Sequence, residues 1–206
     1  MKRSSRHSAR AQEEVELVER LKKGDEAAFA EVVRRHQDRI FSLVYRMVSN
    51  PQEAEDVAQD VFISFYTSIE SFRGDCSLST WLYRIAVNQS RNRLKYLKIR
   101  REHRDSSFHE RQQRGIEEKE TLAGASFQAH VPRPDHLAAG RELERIVAGA
   151  LDALPPDQRS LIVCRDIEGL SYQEMVEIFD LPLGTLKSRL HRARLALKDE
   201  VSRRWK

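Results

Sequence analysis

Residues 181–194 read LPLGTLKSRLHRAR. Leu183, Leu186, Leu190, Ala193 and Leu197 recur at offsets of three and four, which is one stripe of a helix. That stripe turns Thr185, Lys187, Ser188, Arg189, His191, Arg192 and Arg194 towards the sides and solvent. Upstream, Ser171-Tyr172-Gln173-Glu174 fits the S-x-x-E capping box, in which hydroxyl and carboxylate satisfy each other's backbone donors. Tyr172, Met175, Val176 and Phe179 then share one face of a short helix, and Asp180-Leu181-Pro182 supplies a turn. A short capped helix, a tight turn and a second helix with a basic, hydroxyl-rich outer face form a helix-turn-helix pattern. Its chemistry suits DNA, since Lys and Arg neutralise phosphates and Arg pairs bidentately with guanine in the major groove. The competing reading is an ordinary solvated helix. It is disfavoured because Lys187, Arg189, Arg192, Arg194 and Lys198 follow Pro182 with no intervening acid.

Working outward, charge is segregated along the whole chain. The net charge of +4 is modest for 206 residues, so the average alone names no partner. Lys2, Arg3, Arg6 and Arg10 stand in the first 12 residues without an acid. Between Met47 and Phe72 lie Glu53, Glu55, Asp56, Asp60 and Glu70 with no base. From Arg84 to Arg101 the sign reverses, with seven bases and no acid. Asp166, Glu168, Glu174, Glu177 and Asp180 then precede the basic helix described above. Acidic and basic blocks thus alternate twice, which implies two modules with at least two kinds of partner surface.

Composition excludes several classes. No apolar run approaches the ~20 residues of a membrane span, and no hydrophobic segment follows the basic start, so membrane insertion and secretion are not expected. A cytoplasmic location follows as the default. Cys76 and Cys164 lie far apart, outside any ligand spacing, which argues against a disulfide framework or a zinc ribbon. His103, His109, His130 and His136 fit no metal-ligand spacing either, so neither a metal nor a cofactor is expected.

Helical periodicity covers most of the rest. Val15, Val18 and Leu21, and then Phe29, Val32, Val33, Ile40, Leu43, Val44 and Met47, mark amphipathic helices. Pro51 suits the first turn of another, with Ala54, Val57, Ala58, Val61, Phe62 and Phe65 on its inner face. After a turn at Phe72-Arg73-Gly74-Asp75, Ser79 or Thr80 could cap a further helix running to about Lys98. Periodicity then fails until Leu137, in a polar, mixed-charge stretch containing VPRP. The expectation is an all-α chain with a basic disordered arm (1–12), a first helical domain (13–100), a flexible linker (101–137) and a helix-turn-helix domain (138–206).

The C-terminal stretch LPPDQRSLIVCRDIEGLSYQEMVEIFDLPLGTLKSRLHRARLALK resembles region 4 of bacterial RNA polymerase sigma factors of the sigma-70 family, in their extracytoplasmic-function (ECF) group. SFRGDCSLSTWLYRIAVNQSRNRLKYLKIR resembles regions 2.3 and 2.4 of the same group, and AEDVAQDVFISFY its region 2.2. Two positions depart from the family pattern: Val176 replaces a small alanine, and Asp180 a glycine at the turn. Asp tolerates the left-handed conformation, so an adjusted turn is expected and not a lost fold.

The resemblance implies a sigma factor without enzymatic activity. It would bind core polymerase through the β′ coiled coil and the β subunit, and direct it to promoter DNA. Thr185, Lys187, Ser188, Arg189, His191, Arg192 and Arg194 would read the −35 element. Phe72, Trp81, Arg84, Asn88, Arg91, Asn92 and Lys95 would open and read the −10 element. The residue types suit that task, because single strands are held by cationic grooves and aromatic stacking. Trp81 reads equally well as a core aromatic. Glu53, Asp56 and Asp60, at i, i+3 and i+7, would face the polymerase. The resemblance further implies a separate anti-sigma partner, and nucleoid association when bound to polymerase. Two rivals remain: a helix-turn-helix regulator acting without core polymerase, and a metal-dependent nucleic-acid enzyme built on the three carboxylates.

Overall fold

The computed structural model describes residues 2–112 and 138–205, and side chains from 12 to 100 and from 142 to 205. Eight α-helices and no strand occur among them. They are α1 (Lys2–Lys22), α2 (Glu26–Val48), α3 (Pro51–Ser68), α4 (Leu78–Gln112), α5 (Ala138–Ala153), α6 (Pro156–Ile162), α7 (Tyr172–Phe179) and α8 (Leu183–Arg204). A 3-10 turn (Ile69–Ser71) follows α3, and a π turn (Val163–Ile167) continues α6. None of these helices is long and apolar enough to cross a membrane.

Local chemistry sets the helix boundaries. Asp25 opens α2, its Oδ1 accepting from the backbone N–H of Ala27 at 2.9 Å and of Ala28 at 3.2 Å. Arg20 donates to the other oxygen at 2.8 Å. Asn50 caps α3, with Pro51 in its first turn as expected. The cap of α4 is Ser77, whose Oγ accepts from the Thr80 N–H at 3.1 Å. It precedes both residues that the sequence suggested, because the chain already turns helical at Leu78.

Two further boundaries differ from expectation. The backbone is helical from Lys2, where a disordered arm was expected, and α4 continues to Gln112, twelve residues into the expected linker. Neither added stretch contains Gly or Pro. A helix already nucleated by packing gains a hydrogen bond with each residue added and needs a breaker to stop it. The remainder of the expected linker lies outside the described residues.

In the first unit, Val32, Ile40, Leu43, Val44 and Met47 of α2 pack with Val57, Val61 and Phe65 of α3 and Leu82 and Ala86 of α4, all essentially inaccessible. The second unit buries Leu151, Leu161, Val163, Met175, Ile178, Leu186 and Leu190 among α5–α8. Ile178 carries more of the α7 inner face than Val176 and Phe179, which are only half-buried. The two units are also packed on each other. α6 and α7 lie against α4, while α6 and the π turn meet α2, so a single apolar cluster runs through both.

Candidate nucleic-acid and partner surfaces

The helix-turn-helix forms as its sequence demands. Ser171 and Glu174 close the capping box at 3.2 and 2.7 Å. Asp180 takes the left-handed conformation (φ 51°, ψ 52°), the adjusted turn expected of it. The Leu181 N–H still reaches the Val176 carbonyl at 3.3 Å, so the turn keeps its helix-ending bond. Leu186, Leu190 and Ala193 bury α8's inner stripe, whereas Leu183, expected on it, is exposed at the helix start.

On the outer side, Lys187, Ser188, Arg189, His191 and Arg192 are exposed and Thr185 is half-buried. Ser188 Oγ donates back to the Thr185 carbonyl at 2.9 Å. Arg194 differs from its neighbours. It makes a bidentate contact to Asp166 of the π turn, with Nε donating to Oδ2 at 3.0 Å, and the bond to Asp166 raises its pKa. It is therefore a tie between α8 and the π turn and not a free cation. Tyr172 receives two cations over its ring, Arg165 at 4.5 Å and Lys187 at 5.6 Å.

On α4, Arg84, Asn88 and Lys95 are exposed along one flank. Arg91, from the same stripe, is instead ion-paired with Asp157 of α6. Asn92 faces the α3 side, beside Asp60, Gln89, Arg93 and Tyr96. Of the two aromatics expected to serve the −10 element, Phe72 is buried and Trp81 is half-buried against the core. Phe72 is 6% exposed, and half-buried Trp81 packs on it at 4.9 Å and on Phe65 at 5.2 Å. Their large apolar area is better satisfied between α3 and α4 than in water. Tyr83 is also buried, which pushes its hydroxyl pKa up to about 12.

The acidic stripe on α3 is partly neutralised from within. Arg93 pairs with Glu53 and approaches Asp56 at 3.7 Å, and the bond to Glu53 raises the guanidinium pKa. Asp60 makes no ion pair among the described residues. Ile63, 59% exposed, extends the line Asp56–Asp60 by a further turn, so the stripe is acidic and then apolar. The sequence reading placed Ala54, Val57, Ala58, Val61, Phe62 and Phe65 on α3's inner face and gave Ile63 no role. A signal was available, since 56, 60 and 63 share one helical face at offsets of four and three.

Cys164 is buried and Cys76 half-exposed, and burial raises both thiols above their ordinary range. No group of three His, Cys, Asp or Glu side chains close enough to hold a metal occurs among the described residues. The side chains of His103, His109, His130 and His136 lie outside them.

Comparison with known proteins agrees with this arrangement. The model of Sigma-70 region 2 matches residues 32–99, and that of Sigma-70 region 4 matches residues 144–197. The ECF RNA polymerase sigma-E factor of Escherichia coli K12 is 40% identical over 185 residues, which cover 90% of this chain and 92% of the relative. Its counterpart from Haemophilus influenzae is 39% identical, covering 90% and 93%. Among solved structures, CnrH in complex with the cytosolic domain of CnrY is similar with a TM-score of 0.61 at 22% identity, covering 92% and 97% of the two chains. The Bartonella quintana sigma factor RpoE, bound to the anti-sigma factor NepR, has a TM-score of 0.54 at 22% identity, covering 84% and 96%. These two likenesses concern the fold. With regions 2 and 4 matched in order on the two packed units, and sigma-E relatives similar along nine tenths of its length, the chain belongs to the ECF group of sigma-70 RNA polymerase sigma factors.

Proposed function

We propose that this chain binds core RNA polymerase in the cytoplasm and directs it to promoters, acting as an initiation factor without bond chemistry of its own. The observation that carries the reading is the pairing of an open cationic face on α8 with a separate acidic–apolar ridge on α3. A stand-alone helix-turn-helix regulator has no use for the second surface. A metal-dependent enzyme is disfavoured because Arg93 pairs with Glu53 and approaches Asp56 at 3.7 Å, which places a cation where the metal would have to sit.

In this reading α8 enters the major groove at −35. Lys187 and Ser188 contact phosphate, while Arg189, His191 and Arg192 contact base edges. Thr185 supports Ser188 through its carbonyl, and Arg194 sets the orientation of α8 through Asp166. At −10, Arg84, Asn88, Arg91 and Lys95 form the cationic track for separated strands. Phe72 and Trp81 hold the loop before α4 in place from below, and Asn92 lies at the border of that surface. Asp56, Asp60 and Ile63 dock on the β′ coiled coil of the polymerase, with Glu53 positioned by Arg93. A second contact to the β subunit, an anti-sigma partner and nucleoid association of the bound form complete the proposal.

Run-off transcription with core polymerase on a promoter library is the direct test, and absence of promoter-dependent product would sink the reading. Asp60→Lys separates the surfaces. Its affinity for core polymerase should fall at least tenfold while its binding to a −35 duplex is retained. Unchanged core affinity would overturn the α3 assignment.

A further inference from the structure

α1 precedes the stretch matched by the region 2 model, residues 32–99, and none of the surfaces described so far uses it. Yet two of its side chains reach residues 50 and 64 positions further along the chain. Lys22 Nζ donates to the Phe72 carbonyl at 2.7 Å. Glu14 Oε1 accepts from the N–H of Leu78, the first residue of α4. Phe72 and Leu78 bound the loop that leads into α4, so α1 holds that loop at both ends.

Spacing along α1 suits the task. Glu14, Val18 and Lys22 recur every four residues and share one helical face. At 1.5 Å per residue, Glu14 and Lys22 stand about 12 Å apart along the axis. Leu17 and Leu21 are buried beside that face, and α1 lies against α2 and the 3-10 turn that precedes the loop. Its C-terminal end is anchored by Arg20, which pairs with the α2 cap Asp25 and approaches Glu31 at 3.7 Å. Each tie also matches its partner's chemistry. Amides in the first turn of a helix lack intrahelical partners and carry partial positive charge, which a carboxylate complements. Ser77 Oγ takes the Thr80 amide of that turn and leaves Leu78 to Glu14. Between the two ties Arg73, Gly74 and Asp75 are exposed, and Gly74 adopts a φ of 80°. A stretch with so permissive a residue keeps one conformation only while its ends are held.

We infer that α1 is a splint for the −10 loop, with Glu14 and Lys22 as positioning residues that set how selectively the element is read. The inference rests on the proposed assignment of the 72–95 surface to −10. The loop opens that surface, which continues along α4 through Arg84 and Asn88. A loop ordered before DNA arrives loses little further entropy on binding. Selectivity is a difference of affinities, and a loop free to rearrange accommodates a mismatched base at less cost.

Cys76 reports on the loop directly, being half-exposed within it while Cys164 is buried. Burial chiefly raises the Cys76 thiol, and the charge of Glu14 adds to the rise. Glu14→Ala is therefore compared with Glu14→Gln, since both remove the charge but glutamine keeps an acceptor for Leu78. In the full chain, Cys76 should be alkylated about fivefold faster in Glu14→Ala than in Glu14→Gln, the scale of one lost hydrogen bond. Run-off by the holoenzyme is then compared on a promoter from the library and on the same promoter with one −10 base changed. Glu14→Ala and Lys22→Met should lower that ratio about fivefold, and Glu14→Gln should restore it, with core polymerase affinity unchanged throughout. A merely structural role would lower both run-offs together and leave their ratio in place. Lys22 is exposed, so its variant carries the test even if loss of Glu14 unfolds α1. Equal alkylation in the two Glu14 variants, or an unchanged ratio, would overturn the inference. Absence of promoter-dependent run-off from the unaltered chain would instead overturn the −10 assignment, and the alkylation rates still read the splint.

Discussion

Two cationic helices in this chain look alike in sequence and differ in three dimensions. α8 presents Lys187, Arg189, His191 and Arg192 from a helix buried along one stripe, and these residues are exposed. α4 carries a basic block of similar density, but neighbours meet it on several sides. Arg93 pairs with Glu53 of α3 and Arg91 with Asp157 of α6, while Arg84, Asn88 and Lys95 stay exposed on the flank between. A charge stripe therefore describes a binding surface only after its helix's neighbours are known.

The largest expected effect probes the enclosed helix. If Trp81 is core, Trp81→Ala should lower the unfolding free energy by about 3 kcal/mol, near the lower end for such truncations, in a urea melt of the full chain. A purely DNA-contacting tryptophan would leave the melt unchanged while weakening −10 binding. On the open helix the pattern should invert. Arg192→Ala should leave the melt in place and weaken −35 duplex binding by about 1–3 kcal/mol if it pairs bidentately with a base. Equal weakening on unrelated duplexes would assign it to phosphate instead.

Arg194 sharpens the contrast within α8 itself. Its bidentate pair with Asp166 is half-exposed, so Arg194→Ala should cost less than about 1 kcal/mol of stability. The prediction of interest is the comparison with Arg192→Ala, which should cost no stability at all. The smallest effect concerns Glu168, whose carboxyl burial raises above its ordinary range despite the opposing charges of Arg46 and Arg39. The ionised form is then the costlier one in the folded chain. That cost is absent below the ordinary carboxylate range and grows as pH rises through it. Glu168→Gln should therefore raise Tm at neutral pH by less than about 3 °C, with the gain vanishing below about pH 4. Calorimetry at the two pH values checks the sign.

Much of the site was legible along the chain. The capping box at Ser171, the left-handed Asp180 and the inner stripe Leu186–Leu190–Ala193 all follow from spacing and residue type, and all form. Each depends on residues within a helical turn or two of one another. Phe72 and Trp81 were harder, because an aromatic beside a loop reads the same whether it stacks on a base or on Phe65. The helical ends at Lys2 and Gln112 were missed for a related reason: polar composition suggested loss of order, but no residue there breaks a helix.

The sequence by itself determined the helical fold, the capping box at Ser171, most of the inner faces, the helix-turn-helix and the family, since these rest on periodicity and short-range hydrogen bonding. Tertiary structure alone decided which charges are free. Arg91 finds Asp157 across 66 residues, Arg93 finds Glu53 across 40 and Arg194 finds Asp166 across 28. No local pattern encodes those meetings. They arise because burying the apolar faces of α4, α6 and α7 together fixes where the remaining polar groups must find partners.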